Sequence, residues 1–213
     1  MNLRICLLLL LLVASSTTQA DELQRFVIDS EQSWIRVLVY RAGLFSRLGH
    51  NHVLASNDLS GTVQCNDQVE STRVDLSFPV KSLVVDLSDN RKLEGDDFSK
   101  PVSDKDINST RKNMLGSKLL AADSFPLIRI QTTAVEGTVD SLLVTADMTV
   151  AGHTNPISFP ARAVLSDNQI TISGIATITH KQLGLKRFSA AFGTLKVHEN
   201  ITVRFEIVAV QTL

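Results

Sequence analysis

The feature that most constrains this chain is a period of two. In TRVDLSF, Val74, Leu76 and Phe78 fall on one side and Arg73, Asp75 and Ser77 on the other; NITVRFEIVAV sets Ile201, Val203, Phe205 and Ile207 against Thr202, Arg204 and Glu206. Successive side chains of a strand point to opposite faces, so such runs read as half-buried strands and not as helices. NQITISGIATITH begins the same way, and Gly174 inside it predicts a bulge or bend that resets the register. LQRFVID, SWIRVLVYR, DLSGTVQC, LIRIQTTAV, SLLVTADMTV and NPISFPARAVL are further strand segments. About eight or nine strands, joined by short turns such as Glu136-Gly137 and Asp167-Asn168, imply an antiparallel sandwich or a closed barrel. Closure is attractive because it leaves no exposed edge.

One interval breaks the alternation. Residues 88–124 are charged and patternless, except that Ser103 precedes Asp106 by the spacing of a capping box. Ile107, Met114 and Leu115 then share a helical face, and Gly116 supplies a stop. One short helix is expected, with a second turn through Lys118–Ala122. The interval has too little apolar surface for a core of its own, so it reads as an insertion over one end of the β-structure.

The first twenty residues have the grammar of a secretory signal peptide: Arg4, an apolar run from Ile5 to Ala14, and Thr18-Gln19-Ala20 as a cleavage site. A run of about ten apolar residues is too short for a bilayer that needs roughly twenty. The expectation is therefore residues 1–20 as signal peptide and residues 21–213 as one secreted domain. Of two cysteines, Cys6 would leave with the signal, and Cys65 alone cannot form an internal disulfide. Cys65 reads as a small buried apolar residue. The formal net charge is -1, without the basic surplus that a nucleic-acid partner demands. The densest basic cluster, Lys181, Lys186 and Arg187, reads as a solvated loop or as a minor contact with anionic headgroups.

Motifs of covalent catalysis and nucleotide binding are missing: there is no Gly-x-Ser-x-Gly elbow and no glycine-rich phosphate loop. Asp96-Asp97 sits in the charged interval and reads as solvated surface. The histidines carry what chemistry is left. In GLFSRLGHNH, His50 and His52 would point to the same side of an extended chain, a workable metal chelate that still lacks a third ligand. His153, His180 and His198 are candidates that no spacing separates. Leu48-Gly49 before the pair suggests a turn, where imidazoles often bond backbone. The sequons at Asn108 and Asn200 matter only where the host glycosylates.

Three stretches together resemble the YceI-like family of secreted lipid-binding proteins. They are FVIDSEQSWIRVLVYRAGLFSRLGH with DLSGTV, then RKNMLGSKLLAADSFPLIRIQTTAV with its Phe-Pro before a strand, then MTVAGHTNPISFPA. In the last, Gly152, Thr154 and Pro156 match a Gly-x-Thr-x-Pro turn of the family. The resemblance implies a mainly β fold, an antiparallel eight-stranded lipocalin-like barrel with a short helical insertion. It also implies an elongated apolar cavity for a polyisoprenoid, an isoprenoid quinone or a fatty-acid-like lipid. At about 0.8 kcal/mol per buried CH2, a few isoprene units would exceed an association cost of roughly 4–15 kcal/mol, so no catalytic group is required. The chain departs from the family at Gln32-Ser33 and Tyr40-Arg41, where relatives often carry histidines.

The expected function is therefore a secreted, non-enzymatic carrier of a long apolar amphiphile, without a cofactor beyond that lipid and without nucleic acid. Transient membrane contact and a homodimer are both compatible with it. Alternation nominates Leu38, Val74, Leu76, Phe78, Ile128, Ile130, Met148, Phe159, Phe188, Phe192 and Phe205 as inward residues, with Arg47, His50 and His52 at the polar end. Two other readings stay open: a metal-binding protein using His50 and His52, and a ligand-free stress or interaction module with a filled interior.

Overall fold

The computed structural model describes residues 22–166, 168–190 and 194–211. The proposed signal peptide and Phe192 lie outside them. In chain order the strands are β1 (Gln24–Ile28), β2 (Trp34–Ala42), β3 (His52–Ser56), β4 (Ser60–Cys65), β5 (Arg73–Pro79) and β6 (Val84–Val85). Two helices follow, α1 (Ser88–Lys92) and α2 (Asp104–Leu115). The rest are β7 (Leu127–Thr138), β8 (Ser141–Val150), β9 (His153–Ser166), β10 (Gln169–Thr179), β11 (Ser189–Ala190) and β12 (Leu195–Gln211).

Every pairing is antiparallel, and the path β1-β4-β5-β7-β8-β9-β10-β12 closes on itself because β12 also pairs with β1. The result is a closed eight-stranded barrel. Its first three staves are each broken in two. β12 pairs with β1 through Ala209–Gln211 and with β2 through Lys196–Glu206, so β1 and β2 run end to end along one neighbour. β4 and β3 follow β1 and β2 in the same way, as do β5 and β6 along β4 and β3. Ser33 makes the first break possible. Buried at the handover, its hydroxyl donates to Val208 O (3.2 Å) and accepts from Val208 N (2.9 Å), satisfying backbone that a kinked stave leaves open.

Alternation in the sequence locates β1, β2, β4, β5, β7, β8, β9, β10 and β12 and misses β3, β6 and the two-residue β11. β3 and β6 are short, and β6 offers only two residues. Gly174 does not reset the register: β10 stays in step with β12 straight through it. Its pairing with β9 ends at Gly174–Ala161, and the ring of Phe205 covers it so closely that a Cβ there would lie 2.7 Å from the ring. It is a close-approach glycine where two staves part. The β7–β8 turn is Val139-Asp140, three residues on from Glu136-Gly137, since Thr138 pairs with Ser141. Ser166 of β9 pairs with Gln169 of β10, while Asp167 of the expected Asp167-Asn168 turn lies outside the described residues.

The helix is where its cap places it. Ser103 Oγ accepts from Asp106 N (3.2 Å) and donates to Asp106 Oδ2 (2.7 Å), and Gly116 is the C-cap. Lys118–Ala122 forms turns without becoming helical. Arg111 of α2 bonds the carbonyls of Leu83 and Lys81 (2.8 Å to the latter), lashing the helix across the end of the barrel where β6 has no partner in β7. The interval also contributes an external strap. Phe98 (1 % exposed) seats on Leu38 and Val53, with Tyr40 at 5.4 Å between ring centroids. Glu94, with no exposed side-chain surface, sits between Arg36 (2.7 Å) and Arg204 (3.2 Å) in ion pairs whose angles fall off the hydrogen-bond line. Leu38 therefore faces outward beneath the strap, correcting its inward assignment. β2 is apolar on both faces, Ile35, Val37 and Val39 inside and Leu38 and Tyr40 outside, so alternation could not tell them apart.

Candidate functional site

Inward alternation leaves the barrel hollow. At the end carrying α2 there is an apolar cavity of about 310 Å³. Ile35, Val37 and Val39 of β2 wall it, with Phe78 of β5, Ile128 and Ile130 of β7, Met148 and Val150 of β8, and Ile201 and Val203 of β12. Met114, Leu119 and Leu120 from the insertion and Leu183, Leu185 and Phe188 from the segment after β10 complete it. A second chamber of about 90 Å³ continues toward the other end, lined by Val74, Leu76, Val144, Phe159, Phe205 and their neighbours. Ile35, Ile130, Met148, Ile178 and Val203 line both, forming a waist. Below it Val69, in the 3-10 turn Val69–Ser71, packs against Val135, Leu142 and Val144.

The polar end is built by GLFSRLGHNH. His50, His52, Gly49 and Arg41 line the large cavity. His50 and Arg41 also line a polar pocket of about 150 Å³ with Asn51, Arg91, Asp96, Asp97 and Lys100. Asp86, with its side chain wholly buried, organises this end. It accepts from His52 Nδ1 (2.6 Å), Arg91 Nη1 (2.5 Å) and Val53 N (2.9 Å). Arg91 spends its other donors on the carbonyls of Asn51 and Lys100 (both 2.8 Å). Burial pushes the Asp86 carboxyl up, but the bonds from His52, Val53 and Arg91 outweigh it and hold the group below the usual carboxylate value. An ionised Asp86 makes His52 Nδ1 the protonated nitrogen; no hydrogen bond from the described residues engages Nε2. The His50 ring lies edge-on at 6.3 Å, and burial, with Lys100 and His52 adding to it, holds its imidazole below the usual value.

The structure brings together most of the residues that alternation nominates. Phe78, Ile128, Ile130, Met148 and Phe188 line the large cavity with His50 and His52, while Val74, Leu76, Phe159 and Phe205 line the second chamber with Ile130 and Met148. Arg47 is exposed and lines neither chamber. Of the other histidines, His180 is buried at the cavity wall with Nδ1 donating to Glu199 O (2.9 Å), His153 is exposed, and His198 accepts from Asn200 N (3.2 Å). Among the described residues no three His, Cys, Asp or Glu side chains converge on a common point. Gln32, at one departure from the family pattern, binds Asp29 outside the barrel (2.6 Å). At the other departure, Tyr40 faces the strap, while Arg41 is at the mouth. Sequence reasoning missed Asp86, Arg91, Arg41 and the α2 wall. Asp86 is 34 residues from His52, and its one local mark, a positive φ of 54°, is invisible in sequence.

A family model described as the YceI-like domain matches residues 26–209. Comparison with the curated proteins finds no match. Among solved structures, BcnA of Burkholderia cenocepacia superposes with a TM-score of 0.62 at 13 % identity, over 86 % of this chain and 99 % of its own. A polyisoprenoid binding domain from Saccharophagus degradans, implicated in plant cell wall breakdown, gives 0.55 at 12 % identity, over 89 % and 99 %. A Campylobacter jejuni YCEI protein gives 0.52 at 12 % identity, over 73 % and 82 %. At these identities the likeness is one of fold.

Proposed function

Because the chain belongs to the YceI-like domain family, we propose that it is an exported carrier that holds a long apolar amphiphile inside its barrel. The tail occupies the large cavity, and the polar head lies between His50, His52 and Arg41, facing the polar pocket. One observation carries the reading: an apolar chamber of about 310 Å³ opens onto a polar pocket through two shared residues, Arg41 and His50. That volume is at the low end of the roughly 300–1,000 Å³ usual for ligand sites. The polyisoprenoid binding named for the Saccharophagus degradans domain supports an isoprenoid tail. Export is supported by the residues 1–20 pattern, and N-terminal sequencing of protein from a periplasmic fraction should begin at Asp21.

Solvent extraction of the purified protein followed by mass spectrometry tests the cargo. A stoichiometric isoprenoid or similar lipid is expected, and lipid-depleted protein should rebind geranylgeraniol with a rise in melting temperature. A lipid-free extract together with no rebinding would end the carrier reading and favour a filled interaction module.

A further inference from the structure

We propose that the turn from Gly43 to Gly49 is a docking tip that seats the cavity mouth on a bilayer bearing anionic headgroups. The inference rests on the carrier reading, since it concerns how the cargo reaches the cavity. Leu44 is 91 % exposed, Phe45 53 % and Leu48 74 %, three large apolar side chains within five positions. Scattered exposed apolar residues need no explanation, but a contiguous set on the rim of an apolar opening does.

The tip is preformed. Gly43, at φ +95°, lies so close to the segment before β12 that a Cβ would meet Thr194 O at 2.5 Å. Phe45 N bonds Thr194 O (3.3 Å), Leu48 N bonds Phe45 O (2.9 Å), and Arg41 Nη1 holds Gly49 O (2.9 Å). Presenting the three side chains therefore costs little ordering. The flanks of the turn are the cavity wall itself: Gly49 and His50 on one side, Leu195 and Lys196 on the other.

Charge selects the partner. Exposed cations surround the apolar tip: Arg47 within it, Lys196 beside it, and Lys186 and Arg187 on the segment whose Phe188 lines the cavity. Arg187 also pairs with Glu199 at 3.0 Å, and the exposed Asp96 and Asp97 lie against the polar pocket on the strap. Apolar side chains at the acyl boundary with cations at the headgroup level are how an interfacial segment binds an anionic leaflet. Mouth-first docking also lets an apolar tail move between bilayer and cavity without crossing water.

The test is flotation with vesicles of equimolar phosphatidylglycerol and phosphatidylethanolamine, against vesicles of phosphatidylcholine alone, for wild type, L44S/F45S/L48S, R47E and L165S. Leu165 is an exposed leucine (54 %) at the far end of the barrel. Wild type and L165S should float with the anionic vesicles, less so at high salt, and R47E should lose the anionic preference. The triple variant should partition about ten-fold or more weakly, with an unchanged melting temperature because its substitutions are exposed. Lipid-depleted triple variant should rebind geranylgeraniol as depleted wild type does, since none of the three side chains lines the cavity, which keeps docking and cargo binding separately readable. Loaded protein that ignores vesicles, or a triple variant that floats like wild type, overturns the docking proposal. So does light scattering in which the triple substitution converts a dimer to a monomer, since the tip would then hold a second copy of the chain.

Discussion

Asp86 shows how much of the polar end rests on one side chain. It neutralises a buried guanidinium, fixes the proton on His52, and caps the Val53 backbone. Removing one partner of such a cluster leaves an uncompensated buried charge, so D86A should lose about 3–5 kcal/mol in urea denaturation at neutral pH. The pH dependence follows from the sign of its shift. The folded pKa lies below the ordinary 3.8, so the folded state holds the proton less tightly than the unfolded chain. The stabilisation is then complete above 3.8 and is lost as the pH falls through the lower folded value. The stability gap between wild type and D86A should be flat well above 3.8 and narrow as the pH falls from 3.8 through the lower folded value. A gap that stays constant would mean the carboxylate is not what holds Arg91. At this scale the sequence told half the story. The spacing of His50 and His52 fixed their common side, and both line one cavity. The partner that converts His52 from a candidate metal ligand into a tethered donor is Asp86, 34 residues away and just after the two-residue β6, where no local pattern marks it.

Among elements, the insertion does two jobs, and only one was legible. Ser103, Asp106 and Gly116 announced α2 because capping is local chemistry between neighbours. S103A should cost about 1 kcal/mol, read as a shift in the denaturation midpoint, and its loss should be confined to the wall that α2 lends the cavity. The strap is non-local: Phe98 is anchored by residues of β2 and β3, and no periodicity in residues 93–102 foretells it. That is why Leu38 was turned the wrong way. A strand covered on both faces carries no alternation, and the cover is visible only in three dimensions. F98A removes a ring that is 1 % exposed and should cost about 3–5 kcal/mol, with hydrogen exchange accelerating first in residues 94–100. Equal acceleration throughout the barrel would show that the strap is integral to the global fold and not an attached layer. Two sequence signatures do meet in space. Phe125, from the Phe-Pro before β7, presses on Gly152 of the Ala151-Gly152 turn, where a Cβ would lie 2.5 Å from the ring.

At the scale of the molecule, period-two alternation left a sandwich and a closed barrel open, and the resemblance to the YceI-like family chose the barrel, in which every such strand finds two neighbours. Whether its interior was filled was not readable, since an inward side chain has the same chemistry beside a void as beside another side chain. The waist makes that distinction measurable. Ile35, Ile130, Met148, Ile178 and Val203 stand between chambers of about 310 and 90 Å³, and Met148, unbranched and adaptable, is the one whose volume can be changed with least strain. If a tail threads from the large chamber into the small one, Met148 acts as a ruler. M148F should narrow the passage and leave geraniol binding nearly unchanged, while geranylgeraniol loses the segment that reached the inner chamber. At about 0.8 kcal/mol per buried CH2, losing two such groups already exceeds the 1.4 kcal/mol that changes an affinity about ten-fold. M148A should shift the preference toward the longer alcohol while destabilising the empty protein by about 2–5 kcal/mol through the enlarged void, a cost that a bound tail should partly reverse. Isothermal titration of the two alcohols against the three proteins reads the ratio directly. A ratio indifferent to residue 148 would confine the ligand to the outer chamber and leave the inner one as a packing defect of the barrel.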